Sequence, residues 1–112
     1  MTCLFCGIVA GEVPSTVVLE TDRVLAFRDI APVAPTHVLV VPKEHHEDLA
    51  ALVAIDPAYV GEVMAAAVEV ARLEGLDTGY RVVANTGDDS GRTVFHLHVH
   101  VLGGKPLSLA VG

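Results

Sequence analysis

The sequence predicts an α+β domain: an antiparallel sheet of about five strands, with one long helix and one short helix. Three observations carry this. Short β-branched runs flank a single long amphipathic stretch in the order β-β-β-α-β-β. Hydrophobic residues make up 52% of the 112 residues, ample for one core, and no repeat, low-complexity tract or linker divides residues 1–112 into two. Aromatics are only 4% and Trp is absent, so that core is aliphatic, built from Val, Ala and Leu.

Thr16-Val17-Val18-Leu19-Glu20 and Val24-Leu25-Ala26-Phe27-Arg28, joined by the polar Thr21-Asp22-Arg23, predict a hairpin. Between Pro35 and Pro42, the nearly unbroken apolar run from Thr36 to Val41 predicts a central strand buried on both faces. A short helix is expected over Glu47 to Val53. Asp56-Pro57 then reads as an N-cap followed by proline at the first helical position. The long helix runs from Tyr59 to Leu73, with Val60, Val63, Met64, Ala67, Val68 and Ala71 as its buried face and Gly75 as its stop. Tyr80 to Asn85 and Val94 to Leu102 are the last two strands, separated by a turn-rich loop. One long helix leaves sheet edges open, which predicts a dimer.

Seven basic residues against fourteen acidic ones give a net charge of −7. That argues against a general nucleic-acid binder, whose affinity comes from many cations on phosphates. The acidity is uneven, because Ser90 to Gly112 holds Arg92 and Lys105 and no acid at all. A small anion in a local pocket therefore remains compatible with the composition. No membrane span of about 18 apolar residues occurs. The apolar start, with Glu12 and Pro14 close behind it and no basic residue ahead, does not read as a signal peptide, so the expected location is cytoplasmic.

The chemistry concentrates in Phe95-His96-Leu97-His98-Val99-His100-Val101-Leu102. On a strand, His96, His98 and His100 share one face, while Leu97, Val99 and Val101 pack opposite. An exposed edge strand would also tolerate this alternation, but three imidazoles point to function. They are either metal ligands, or a nucleophile with neighbours that tune it. Upstream, Asn85-Thr86-Gly87-Asp88-Asp89-Ser90-Gly91-Arg92-Thr93 is either an ordinary connection or a loop whose N–H groups face a phosphate. Cys3 and Cys6 form a Cys-x-x-Cys pair, and two thiolates with two imidazoles make a closed zinc site for which His45 is the natural third ligand, with His46 as competitor. Inert thiols or a redox pair are the alternatives, although no βαβ unit of thioredoxin type surrounds the pair.

The run His96 to Leu102 is similar to the His-φ-His-φ-His-φ-φ signature of the histidine triad (HIT) superfamily of nucleotide hydrolases and transferases. The similarity extends to Cys3-Leu4-Phe5-Cys6, Gly11-Glu12-Val13-Pro14, Ala26-Phe27-Arg28-Asp29-Ile30, Pro35 to Lys43, and Asn85. It is strongest with the Hint-type nucleoside phosphoramidate hydrolases, in their bacterial form with an N-terminal Cys-x-x-Cys. The resemblance implies a HIT-like, dimeric fold and a homodimer acting on purine nucleotide conjugates to release a nucleoside monophosphate, the alternative being a nucleotide-binding regulatory module with weak turnover. In that scheme His98 attacks the α-phosphate and forms a nucleotidyl intermediate, supported by His100 and His37. Asn85, Gly91 and Thr93 serve the phosphate and leaving group, Asp29 accepts the ribose hydroxyls, and Leu4, Phe5, Phe27 and Ile30 form the base pocket. A structural zinc, not needed for catalysis, falls to Cys3, Cys6, His45 and His96.

Several of these residues carry plainer readings. Asp29 suits a turn before Pro32, the four apolar residues suit a core, and His37 suits a hydrogen-bonded buried histidine. Arg92 stands where glutamine is common in the family. It is read either as a fixed cation near the leaving group or as an ion-pair partner of Asp88 or Asp89. The tail from Gly103 to Gly112 lacks the Trp-Pro-Pro ending of the animal-type enzymes, a segment tied there to substrate selection.

Overall fold

The computed structural model describes residues 3–108. Helices α1 (Leu4–Val9), α2 (Leu49–Ile55) and α3 (Pro57–Leu73) accompany strands β1 (Val17–Glu20), β2 (Val24–Arg28), β3 (Thr36–Pro42), β4 (Tyr80–Ala84) and β5 (Val99–Gly103). The sheet order is β1-β2-β3-β5-β4 and every pairing is antiparallel. The β1–β2 turn closes as its composition demands: the Thr21 hydroxyl accepts from the N–H groups of Arg23 and Val24 at 3.3 and 3.0 Å.

Strand β3 is buried along its whole length, because each face meets a different partner. On one face Val24, Ala26, Val38, Val40, Val99 and Val101 meet Val63, Ala67 and Val70 of α3. On the other, Leu25, Phe27, Leu39 and Val41 meet Phe5 of α1. The alternation of β2 explains this split, since successive side chains point to opposite faces. Asp56 caps α3 by accepting from Tyr59 N–H at 3.2 Å, and Gly75, at φ +70°, ends it in a left-handed conformation costly for other residues.

Five expectations need correction. Helix α1 forms where none was expected. Its cap is the Cys3 sulfur facing Cys6 N–H at 3.4 Å, and its packing depends on Phe5, both matters of tertiary context. Helix α2 begins at Leu49, two residues later than expected, because Asp48 is its cap and accepts from Ala51 N–H at 2.9 Å. Helix α3 is rotated: Tyr59, Val63, Ala66, Ala67, Val70 and Ala71 are buried, while Met64 and Val68 face out. The buried Tyr59 hydroxyl donates to Arg23 O at 2.7 Å, and the small Ala66 and Ala67 let the helix settle on the sheet. Finally, β5 starts at Val99 and not at Val94, because residues ahead of it bond elsewhere: Leu97 N–H donates to His46 O at 2.7 Å. Strand β4 ends at Ala84, one residue short of expectation.

Candidate active site and metal centre

With β5 beginning only at Val99, the three triad histidines do not share one strand face. Leu97, Val99 and Val101 enter the helix-side core as expected. The His96 ring is sealed from solvent, whereas His98 and His100 line a cleft of about 300 Å³.

Ring nitrogens can be assigned from their partners, since a carbonyl oxygen only accepts. His98 Nδ1 lies 2.8 Å from His96 O, so Nδ1–H donates there and Nε2 keeps its lone pair. A second chain of bonds orients His100. Val33 N–H donates to His37 Nδ1 at 3.2 Å, which puts the His37 proton on Nε2, 2.9 Å from His100 Nδ1. His100 therefore carries its proton on Nε2. The adjacent rings of His98 and His100 have centroids 5.0 Å apart.

Electrostatics favour the neutral form of His100 and His37. Burial, then the neighbouring His98 and His37, holds His100 down to about 4. Burial also lowers His37, against the opposing pull of Asp29, whose Oδ2 lies 3.4 Å from His37 Nε2. The other Asp29 oxygen accepts from Ala31 N–H at 2.8 Å, so Asp29 both builds the turn before Pro32 and borders the cleft.

Of the remaining residues singled out in the sequence, Leu4, Phe5, Phe27, Ile30 and Thr93 line the cleft with Asp29. Phe5 and Phe27 are buried edge-to-face at 5.5 Å and form its floor. Leu4 and Ile30 are exposed at its mouth. Asn85, Gly91 and Arg92 do not border it. Gly91 sits at φ +81° after a 3₁₀ turn over Asp88–Ser90. Arg92 pairs with neither Asp88 nor Asp89. It reaches the N-terminus of α2, bonding Glu47 Oε2 and Asp48 Oδ2 at 3.0 Å each, with its guanidinium 4.8 Å over the Phe95 ring. Loop residues cannot be paired from sequence when both partners are set by the tertiary fold. Val13, Pro14 and Ser15 also belong to the cleft wall. Val13 and Pro14 belong to Gly11-Glu12-Val13-Pro14, a stretch that carried the family signal but no assigned role.

Beside this cleft, Cys3, Cys6, His45 and His96 place their donor atoms within 4.8 Å of one another. Cys3 Sγ and Cys6 Sγ lie 3.4 and 3.6 Å from His96 Nδ1, and Cys6 Sγ lies 3.4 Å from His45 Nδ1. A tetrahedral zinc with bonds of about 2.3 Å to sulfur and 2.0–2.1 Å to nitrogen separates S from N by about 3.6 Å, so the spacing fits. The tautomer fits too: His96 Nε2–H donates to Pro42 O at 2.8 Å, which leaves Nδ1 free for a metal. Burial, followed by the adjacent Cys3 thiol, pushes the Cys6 thiol up, which is the cost a bound cation would offset. His46 is not part of the cluster. It is buried against Tyr59 and bonds Glu44 Oε1 at 3.2 Å.

Comparison with known proteins decides the ancestry, because the HIT domain model matches residues 10–107. The chain belongs to the HIT family. A histidine triad protein from Clostridium difficile shares 46% identity and a TM-score of 0.92, covering 97% of this chain and 96% of that one. A HIT family hydrolase from Legionella pneumophila shares 42% identity and a TM-score of 0.93, over 99% of this chain and all of that one. A 14 kDa zinc-binding protein of Zea mays is 44% identical over 112 residues, covering 97% of this chain and 87% of that protein. The HIT fold of these structures is the α+β arrangement described above. Among the described residues, no helix is long and apolar enough to cross a membrane.

Proposed function

We propose that this HIT protein hydrolyses purine nucleoside 5′-phosphoramidates, or related nucleotide conjugates, through a nucleotidyl intermediate on His98. The observation that carries the reading is the bond from His98 Nδ1–H to His96 O, which leaves Nε2 as a lone pair at the cleft. The base lies on Phe5 and Phe27, Asp29 accepts the ribose hydroxyls, and His100 Nε2–H donates to a phosphoryl oxygen. His98 Nε2 attacks phosphorus and the P–N bond breaks. The electron pair stays on the amine, which leaves with a proton taken from a water molecule, and the hydroxide so formed accepts the proton released in the next step. Water then attacks phosphorus and gives up a proton, the P–Nε2 bond breaks, and the nucleoside monophosphate leaves.

In this reading zinc on Cys3, Cys6, His45 and His96 supplies a cross-link and no catalytic step. Asn85 and Gly91 shape the loop toward the phosphate. In the same reading residues 1–112 act as one HIT domain in a cytoplasmic homodimer, joined at an open sheet edge. Replacing His98 by Ala tests the assignment. Turnover falls by at least about 10³-fold while calorimetry still detects nucleoside monophosphate binding. Near-normal turnover in that variant overturns it.

A further inference from the structure

Seven Lys and Arg side chains carry the basic charge of the chain, and most are neutralised within it. Arg23, Arg28, Lys43, Arg72 and Arg92 each lie within 3.1 Å of a carboxylate oxygen. The other two, Arg81 and Lys105, have no carboxylate partner among the described residues, and both line one cavity of about 670 Å³. That cavity shares no residue with the cleft of His98 and has no acid in its wall. Sheet pairing brings the two cations together: Tyr80 of β4 lies opposite Gly103, the last residue of β5, so Arg81 and Lys105 flank the same end of the sheet. Arg81 is half-buried and donates from Nη2 to Ser108 O at 2.6 Å. A carbonyl bears no net charge, so this bond orients the guanidinium without neutralising it, and the planar fork keeps further N–H donors for a ligand.

We propose that this cavity, between the α3–β4 turn and the segment after β5, binds a phosphate group through Arg81 and Lys105, either as free phosphate or at the end of a small metabolite. Two like charges in one cavity repel each other, and a dianion relieves both at once. On a chain of net charge −7 whose other cations are paired, this is where a small anion is attracted most. Phosphate suits the pair better than a carboxylate does. The guanidinium fork takes two of its oxygens, the ammonium meets a third as a point charge, and the Thr78 hydroxyl stands in the same wall. Leu76, Tyr80 and Leu107 add apolar surface for whatever carries the phosphate. The site stands apart from the cleft, so it does not depend on His98 being the nucleophile.

The test titrates the full ¹⁵N-labelled chain with inorganic phosphate at constant ionic strength and follows the backbone amides. Those of Gly79, Arg81, Gly104 and Lys105 should shift along one saturable curve, while Thr93, His98 and His100 report the cleft separately. Arg81→Gln should weaken that curve by at least about tenfold and Lys105→Gln by about fivefold, as expected for the loss of a charged hydrogen bond. Arg81→Lys keeps the charge without the fork and should fall between Arg81→Gln and the parent. Lys105 is exposed, so its variant decides the matter if loss of the Arg81 bond to Ser108 O disturbs folding. Adenosine 5′-monophosphate as a second probe separates the two sources. Binding at these amides more than about tenfold tighter than inorganic phosphate, a gain of about 1.4 kcal/mol, identifies a phosphorylated metabolite, and equal binding identifies free phosphate. No saturable shift at the four amides, an equal shift from chloride at the same ionic strength, or a curve unchanged in Lys105→Gln overturns the proposal.

Discussion

Replacing Arg92 by Gln tests whether this cation belongs to the scaffold or to substrate. Its side chain is 6% exposed and bonds Asp48, itself 10% exposed, and Glu47, which is 59% exposed. Breaking a fully buried pair costs about 3–5 kcal/mol, because a carboxylate is left without its cation. Two features reduce that here. Glu47 is already in water, and Arg92 Nε is buried without a partner, so its loss removes a penalty of about 1 kcal/mol. The expected destabilisation is about 2 kcal/mol, on the order of 8 °C in Tm for a chain of this size. Urea unfolding of Arg92→Gln, Asp48→Ala and the double variant measures it, with a coupling above about 1 kcal/mol between the two sites. Selectivity between anionic and neutral leaving groups, read as a ratio of kcat/KM values, should stay within about twofold of the parent, a difference of only about 0.4 kcal/mol. An unchanged Tm together with a large shift in that ratio would refute the reasoning and return Arg92 to the leaving group.

Three further outcomes follow from the same geometry. His100 titrates near 4 in the folded chain against 6.5 as an unperturbed group, so between those values the unfolded chain binds the extra proton. Stability is thus lost as pH falls through that window, with His37 adding in the same direction. The urea midpoint should drop from pH 7 to pH 5, and by less in His100→Asn; an equal drop in both would contradict the assignment. Tyr59→Phe removes the bond to Arg23 O and the acceptor for Glu44 N–H, so it should cost about 1–2 kcal/mol in thermal unfolding with kcat unchanged. In Asp29→Asn the carboxylate offered to ribose becomes a neutral amide. Calorimetry should show weaker binding of the ribonucleoside monophosphate, by about tenfold, and little change for the 2′,3′-dideoxy form.

What could be read in advance is what short-range chemistry determines. The Thr21 turn, the Asp56-Pro57 cap, the Gly75 stop and the two-sided burial of β3 each follow from neighbours in sequence. The cluster of Cys3, Cys6, His45 and His96 was reached differently: Cys-x-x-Cys is chemically distinctive wherever the fold brings it, but the choice of His45 and His96 among six histidines came from the family resemblance. The misreadings share a cause. Helix α3 is apolar around most of its circumference, so its rotation depends on where Tyr59 finds Arg23 O. The residues before Val99 alternate like a strand, yet Leu97 bonds to His46. The partners of Arg92 come from a loop some 45 positions away. Each is settled by a contact distant in sequence, which periodicity cannot report.

The reading of His98 as nucleophile meets its most direct test in a rapidly quenched reaction with adenosine 5′-phosphoramidate, followed by peptide mass spectrometry. The account predicts a nucleotidyl group on His98, formed before the product accumulates and absent from His98→Ala. Normal turnover with no adduct on that residue, or an adduct on His96 or His100, would contradict it.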